Sequence, residues 1–209
     1  MRLRLERQRI KGAGLAALAV AALPYAGIGS AAQTPADGPT YTADGKLEFP
    51  AGYRTWVYLS TGMDMSYLER ATPGQSTFGN VFVNREAYDG FLKNGIWPDK
   101  TALVLEVRKA EGSGAPLKSG HFQSEIVRTE VHVKDTARFR GGWGFFGFDD
   151  AAPAAVIPQS ANCYSCHAEN GAADTTFVQF YPTLLPVARA KNTLSPAYLA
   201  DENKHLPTN

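Results

Sequence analysis

Cysteine is scarce in this 209-residue chain: there are two, beside three methionines and four histidines. Two thiols cannot build the disulfide framework of a small exported domain. A structural zinc site needs four ligands. After Cys163, Cys166 and His167, only His121, His132 and His205 remain, none at finger-like spacing. Neither sign of charge dominates, with 21 Lys and Arg against 20 Asp and Glu, which argues against a nucleic-acid partner. No uninterrupted apolar run reaches membrane-spanning length, for which roughly 20 residues are needed. There is no internal repeat, no nucleophile elbow and no H-E-x-x-H. Gly112 to Ser119 nearly matches a phosphate loop, but Leu117 stands where the second glycine is required. That stretch reads as a hairpin loop.

The N-terminus reads as an export signal. Arg2, Arg4, Arg7, Arg9 and Lys11 form a basic region, and Ala13 to Leu23 form a short apolar run. Pro24 and Gly27 break the run, and Ser30-Ala31-Ala32 offers a small-residue cleavage site. The expectation is a signal peptide over 1–32 and a periplasmic product. An uncleaved anchor extending through Ile28 is the alternative. Cleavage after Ala32 leaves 16 basic and 19 acidic residues, a net charge of −3. Residues 33–46, rich in Thr, Pro, Asp and Gly, read as a flexible lead-in, 47–190 as one folded domain, and 191–209 as a polar tail.

Both cysteines fall in one pentapeptide, Cys163-Tyr164-Ser165-Cys166-His167. This is the C-x-x-C-H spacing of c-type haem attachment. Two thiols on one helical turn can each form a thioether with a haem vinyl group, and the adjacent imidazole can bind the iron as proximal ligand. A thioredoxin-like redox pair normally follows a βαβ pattern, and none precedes Cys163. A plain disulfide leaves His167 without a role. The expectation is one covalent haem c on Cys163 and Cys166, with His167 ligating iron.

Five segments read as strands: Tyr53 to Ser60, Phe78 to Val83, Thr101 to Lys109, His121 to Val133 and Trp143 to Phe148. Asn84 reads as the cap of a helix that Gly95 ends. Met63 to Arg70 and Lys134 to Phe139 each suggest a helical turn or two. A helix from Ser160, as N-cap, to Gly171 carries the pentapeptide, and Phe177 to Ala190 forms a last helix broken at Pro182 and Pro186. The class is α+β, a curved five-stranded antiparallel sheet with flanking helices and the haem on a late helix.

At this point the chain resembles the cytochrome P-460 and cytochrome c′-beta family over roughly 44–190. The resemblance lies in Gly45-Lys46-Leu47-Glu48-Phe49-Pro50, Tyr53-Arg54-Thr55-Trp56-Val57, and Val81-Phe82-Val83-Asn84 with Tyr88. It continues in Glu130 with Val133-Lys134-Asp135, in Trp143-Gly144-Phe145-Phe146, in Cys163 to Asn170, and in Phe180-Tyr181-Pro182. It implies a β-sheet haem protein, commonly homodimeric, with His167 proximal and the opposite face of a pentacoordinate iron open to small gaseous or nitrogenous ligands. Cytochrome P-460 oxidises hydroxylamine with a haem also linked to a lysine, whereas c′-beta relatives lack that link and bind nitric oxide. Alignment by neighbours puts Leu105 at the lysine position, Gly79 at a pocket arginine and Glu130 at a pocket glutamate. Lys100 and Lys109 are nearby but off the aligned position.

Strand alternation groups Val127, Thr129, Val131 and Val133 on one face of the fourth strand and Ile126, Arg128, Glu130 and His132 on the other. Glu130 is therefore either a distal proton-transfer acid, the candidate catalytic residue, or part of a solvated face with Arg128. His132, Met63 and Met65 are candidate sixth ligands to iron. Phe78, Phe82, Phe145, Phe146 and Phe148 are core residues from which an aromatic cap over the iron would come. The expected function is a monohaem cytochrome binding nitric oxide. One alternative is an oxidoreductase for hydroxylamine, nitric oxide or peroxide. The other is an electron carrier with an unknown redox partner.

Overall fold

A computed structural model describes residues 37–66, 76–112, 114–116 and 118–204. The chain divides into two units, Met1–Gln33 and Thr34–Asn209, and everything below concerns the second. The expected signal peptide and His205 lie outside the described residues.

The sheet is a five-stranded antiparallel meander in the order β1-β2-β3-β4-β5. The strands are β1 (Val57–Met63), β2 (Thr77–Val83), β3 (Ala102–Gly112), β4 (His121–Lys134) and β5 (Trp143–Phe148). Together with its helices this is the expected α+β class. Each strand is rich in β-branched or aromatic residues, which suit a pleated, half-buried surface. Tyr53–Thr55, expected to begin β1, is instead a 3-10 turn, with Tyr53 N–H donating to the Pro50 carbonyl. Pro50, Ala51 and Gly52 bend the chain there before Val57 enters the sheet.

Helix α1 (Arg85–Asn94) follows β2 and ends at Gly95, which adopts φ 75° as a left-handed cap. Asn84 does not cap it with its side chain. Its Oδ1 accepts from Ala102 N–H at 2.8 Å, tying the helix start to β3 instead. Met63 belongs to β1, Met63 to Ser66 is not helical, and 67–70 lie outside the described residues. Asp135 to Phe139 forms a single turn. The pentapeptide helix is α2 (Asn162–Asn170), with Ala161 rather than Ser160 at its cap position, because Pro158 to Ala161 closes a turn that consumes Ser160.

The last expected helix is split into a 3-10 turn, Val178–Phe180, and α3 (Leu185–Ala190). Pro182 makes the break. Pro186 does not, because the first turn of a helix has no need of its N–H. Part of the expected tail forms α4 (Pro196–Lys204), and Leu194 and Tyr198 pack on the core. The described end of the lead-in is also held down, since Tyr41 bridges Leu47 and Leu47 bridges Ala154. Among the described residues no helix is long and apolar enough to cross a membrane.

Both sheet faces are covered. On one, called here the helix face, Leu59, Val83 and Leu103 pack with Ala87 and Phe91 of α1, with Trp97, and with Val178, Tyr181, Leu184 and Ala188. On the other, the outer face, Ala102, Val104, Val131, Val133, Phe146 and Phe148 pack under Leu47 and Tyr53. Each such large side chain, fully buried, contributes about 1.5–3 kcal/mol.

Register sets what shares the helix face. Val83, Leu103, His132 and Phe145 form one row across β2 to β5, and Val81, Leu105, Glu130 and Gly147 the next. Gly79, Val107 and Arg128 form a third. The register then shifts between Val107 and Arg108, so Ile126 pairs with Arg108, which bonds Glu106 on the outer face. Ile126 therefore leaves the group with Arg128, Glu130 and His132. A bulge of one residue moves a side chain to the opposite face.

Candidate functional site

Helix α2 lies where Cys163, Cys166 and His167, at i, i+3 and i+4, share one side of the helix. All three are half-buried, and both thiols are free. The His167 ring packs against Phe145 of β5, with centroids 4.7 Å apart, against Phe177 at 4.2 Å, and edge-on against His132 of β4 at 4.8 Å. The pentapeptide is thus docked on the helix face at the β4–β5 end. Tyr164 helps, donating its hydroxyl to the Ile157 carbonyl at 2.8 Å and meeting Phe145 edge-to-face.

His167 Nδ1 lies 2.9 Å from the Thr175 carbonyl oxygen. A carbonyl only accepts, so Nδ1 carries the proton and Nε2 keeps the lone pair a metal needs. Burial lowers the imidazole below its usual 6.5, although the Thr175 carbonyl and the Glu130 carboxylate work the other way. The ring is neutral at pH 7, as metal ligation requires.

That carbonyl is supplied by an unusual turn. Asp174 and Thr175 both sit at positive φ, 49° and 55°. For a β-branched residue this region is an outlier, and such strain costs on the order of 1–3 kcal/mol per residue. The turn is held by Asp174, whose Oδ2 accepts from Lys134 Nζ at 2.6 Å and Trp97 N–H at 3.3 Å, while Oδ1 accepts from Trp143 Nε1 at 3.4 Å. Gly171 makes the fold-back feasible: a Cβ there would lie 2.7 Å from the His167 carbonyl oxygen and 2.7 Å from Thr175 backbone. None of Asp174, Thr175, Lys134 or Trp97 stood out in the sequence as part of a site. The available signal is a polar triplet, Asp174-Thr175-Thr176, closely following a candidate ligand.

His132 is buried rather than solvated. It stacks on Phe145 at 3.9 Å and lies against Trp143, and its Nε2 has no hydrogen-bond partner. Two axial ligands on opposite faces of a porphyrin must have the macrocycle between them. The His132 and His167 rings touch, so they cannot both serve one iron in that way. Met63 pairs with Phe78 away from the helix face. Met65 lies over Gly62 at the β1 edge and is largely exposed. Three strand spacings put that edge about 14 Å from β4.

The distal candidates are partly brought together. Leu105, Glu130 and Gly79 all lie on the helix face, so the register puts on one side the positions that the resemblance grouped. Leu105 is half-buried and leans over Gly79. Glu130 is half exposed and paired with Arg128, Oε1 to Nε 2.6 Å. Of the five phenylalanines, only Phe145 reaches the helix face, and it packs beside His167. Phe82 contacts Tyr53, and Phe146 and Phe148 belong to the outer core. An aromatic cap from this set is therefore not what the fold provides. Lys109 pairs with Glu125, and Lys100 with Asp135.

These residues fit a haem. Two free thiols and a lone-pair nitrogen share one helix side, and Gly147 leaves open space where a Cβ would meet nothing within 4 Å, as a flat ligand near backbone requires. Among the described residues no group of three or more His, Cys, Asp and Glu converges on a metal position.

No curated protein matches the chain. The family model for cytochrome P460 matches residues 50–178, more than half of the sequence and inclusive of the pentapeptide. The chain therefore belongs to the cytochrome P460 family, whose members are haem proteins.

Proposed function

We propose that this protein is an exported monohaem c-type cytochrome that binds small ligands, nitric oxide first, at a pentacoordinate iron. Cys163 and Cys166 would hold the porphyrin and His167 Nε2 would bind its iron. A haem iron with an open axial position supplies a site for diatomic ligands and one-electron chemistry.

The observation that carries this reading is the edge contact of His132 with His167, which puts His132 on the same side as the proposed ligand and not opposite it. Leu105 on the helix face supports ligand binding over hydroxylamine oxidation, because a leucine cannot form the lysine link. Export follows from the N-terminal pattern, and the periplasm is the compartment in which c-type attachment takes place in bacteria. Homodimerisation and a redox partner belong to the same proposal.

The test is protein matured in a host with cytochrome c assembly machinery. Intact mass exceeds the polypeptide by one haem, the resting spectrum is five-coordinate and high-spin, and nitric oxide shifts it. A bare-chain mass, or a six-coordinate low-spin resting spectrum, overturns the reading, as does hydroxylamine turnover at the rate of a lysine-linked enzyme.

Glu130 favours a second reading, an oxidoreductase, because its carboxylate lies on the helix face in the row of Leu105, beside the row of His132 and Phe145. In that case Glu130→Ala lowers turnover and spares ligand affinity. Unchanged turnover retires it.

A further inference from the structure

The turn behind His167 is more heavily built than a loop needs to be. Its carbonyl meets Nδ1 from a backbone in which Asp174 and Thr175 both hold left-handed conformation. Asparagine and aspartate tolerate that region, and threonine does not. Left alone, such a turn would relax and swing the Thr175 carbonyl away. Three elements prevent it: Lys134 from β4, the Trp97 backbone after α1, and the Trp143 indole from β5 all donate to the Asp174 carboxylate. Lys134 also donates to the Trp97 carbonyl at 2.7 Å, so the cation bridges two of the anchors. Both members of the Lys134–Asp174 pair are largely buried, with side chains 15% and 21% exposed. On the far side, Thr176 is fixed by Trp97 Nε1 at 2.8 Å and by the Ala173 carbonyl.

We propose that Asp174 is a positioning residue for His167, holding the Thr175 carbonyl on Nδ1 and so setting the donor strength of Nε2 toward iron. The inference rests on His167 being the proximal ligand. An acceptor on the second ring nitrogen fixes tautomer and orientation and raises ligand basicity. In a haem protein, axial-ligand strength tunes the reduction potential. Asp174 touches neither iron nor ligand, and it acts through Thr175.

The experiment uses holoprotein and reads the iron–histidine stretching vibration of the ferrous form by resonance Raman, with the midpoint potential alongside. Asp174→Ala shifts the vibration to lower wavenumber and the potential upward. Asp174→Asn, which keeps the left-handed backbone and an acceptor for Trp97, gives a smaller shift in the same direction. Lys134→Met, which removes one anchor, falls between wild type and Asp174→Ala. Val104→Ala, a truncation in the outer core on the other side of the sheet, lowers the melting temperature and leaves both readouts at wild-type values. Folded Asp174→Asn and Lys134→Met proteins with wild-type vibration and potential overturn the inference. So does a Val104→Ala shift of equal size, because general loosening would then explain everything. A wild-type protein with attached haem but no iron–histidine vibration instead removes the ligand assignment of His167, and this inference with it.

Discussion

Leu105 leans across the β2–β3 pair onto Gly79, its Cδ1 3.1 Å from where a Cβ on that glycine would stand. The two positions at which the resemblance expects a lysine and an arginine have thus become one small contact. A side chain at 79 would have to displace Leu105, and a shorter residue at 105 would free the space above 79.

The pair should therefore be energetically coupled. Alanine at 79 gains strand propensity over glycine but must push Leu105 aside. Gly79→Ala should be more favourable by at least about 0.5 kcal/mol in a Leu105→Ala background than in wild type. Denaturant unfolding of the two single variants and the double variant measures this. Simple additivity would show that Leu105 yields freely.

A second expectation concerns the outer face. Glu106 is buried on β3, where Tyr53 donates its hydroxyl, Arg54 and Arg108 donate from their guanidinium groups, and Asn80 lies at 3.5 Å. Burial pushes this carboxyl up, but the hydrogen bonds from Arg108, Tyr53 and Arg54 together outweigh it and bring it down to about 2. A carboxylate held below its unfolded value of 4.5 stabilises the fold above that pH. The contribution is lost as pH falls from 4.5 toward 2. Glu106→Gln should cost on the order of 2–3 kcal/mol at pH 7, because two arginines lose their partner. It should also flatten the acid limb of the stability curve, as urea titrations between pH 7 and 3 would reveal.

His132 gives a third. Burial, and secondarily the neighbouring His167, pushes its imidazole well below 6.5. The unfolded chain takes up a proton near 6.5 and the folded one resists, so this group weakens the fold as pH drops below 6.5. His132→Phe keeps a ring on Phe145 and removes a buried nitrogen without a partner, whose cost is about 1–3 kcal/mol. The decline in stability between pH 6.5 and 5 should become shallower in the variant. The resting visible spectrum should stay five-coordinate, whereas a change of spin state would mark His132 as an iron ligand.

What could be foreseen from the amino-acid order follows a physical divide. Strands built from runs such as Thr101 to Lys109 declare themselves through composition, and β5 falls where Trp143-Gly-Phe-Phe-Gly-Phe148 suggests. The pentapeptide stands out because the attachment chemistry proposed for it needs a fixed spacing. Long-range interactions are not written locally. Asn84 looks like a cap and is used to bind β3, and Ile126 changes face because the β3–β4 register shifts between Val107 and Arg108. Asp174 and Thr175 look like ordinary loop residues, since the partners that make them a turn come from other elements. Segment Pro196–Lys204 reads as polar because only a few of its residues, Tyr198 among them, face the core.

The imidazole's acceptor is eight residues away, but the anchors of that acceptor come from Lys134 and Trp97, 40 and 77 positions from Asp174. Tethering a porphyrin requires only the short pentapeptide, whereas locking the ligand's orientation requires the completed sheet. If the pentapeptide takes a porphyrin as proposed, maturation and tertiary folding are separable in time: a chain could be loaded while still open, and the ligand field would become defined only when the strands close around the load.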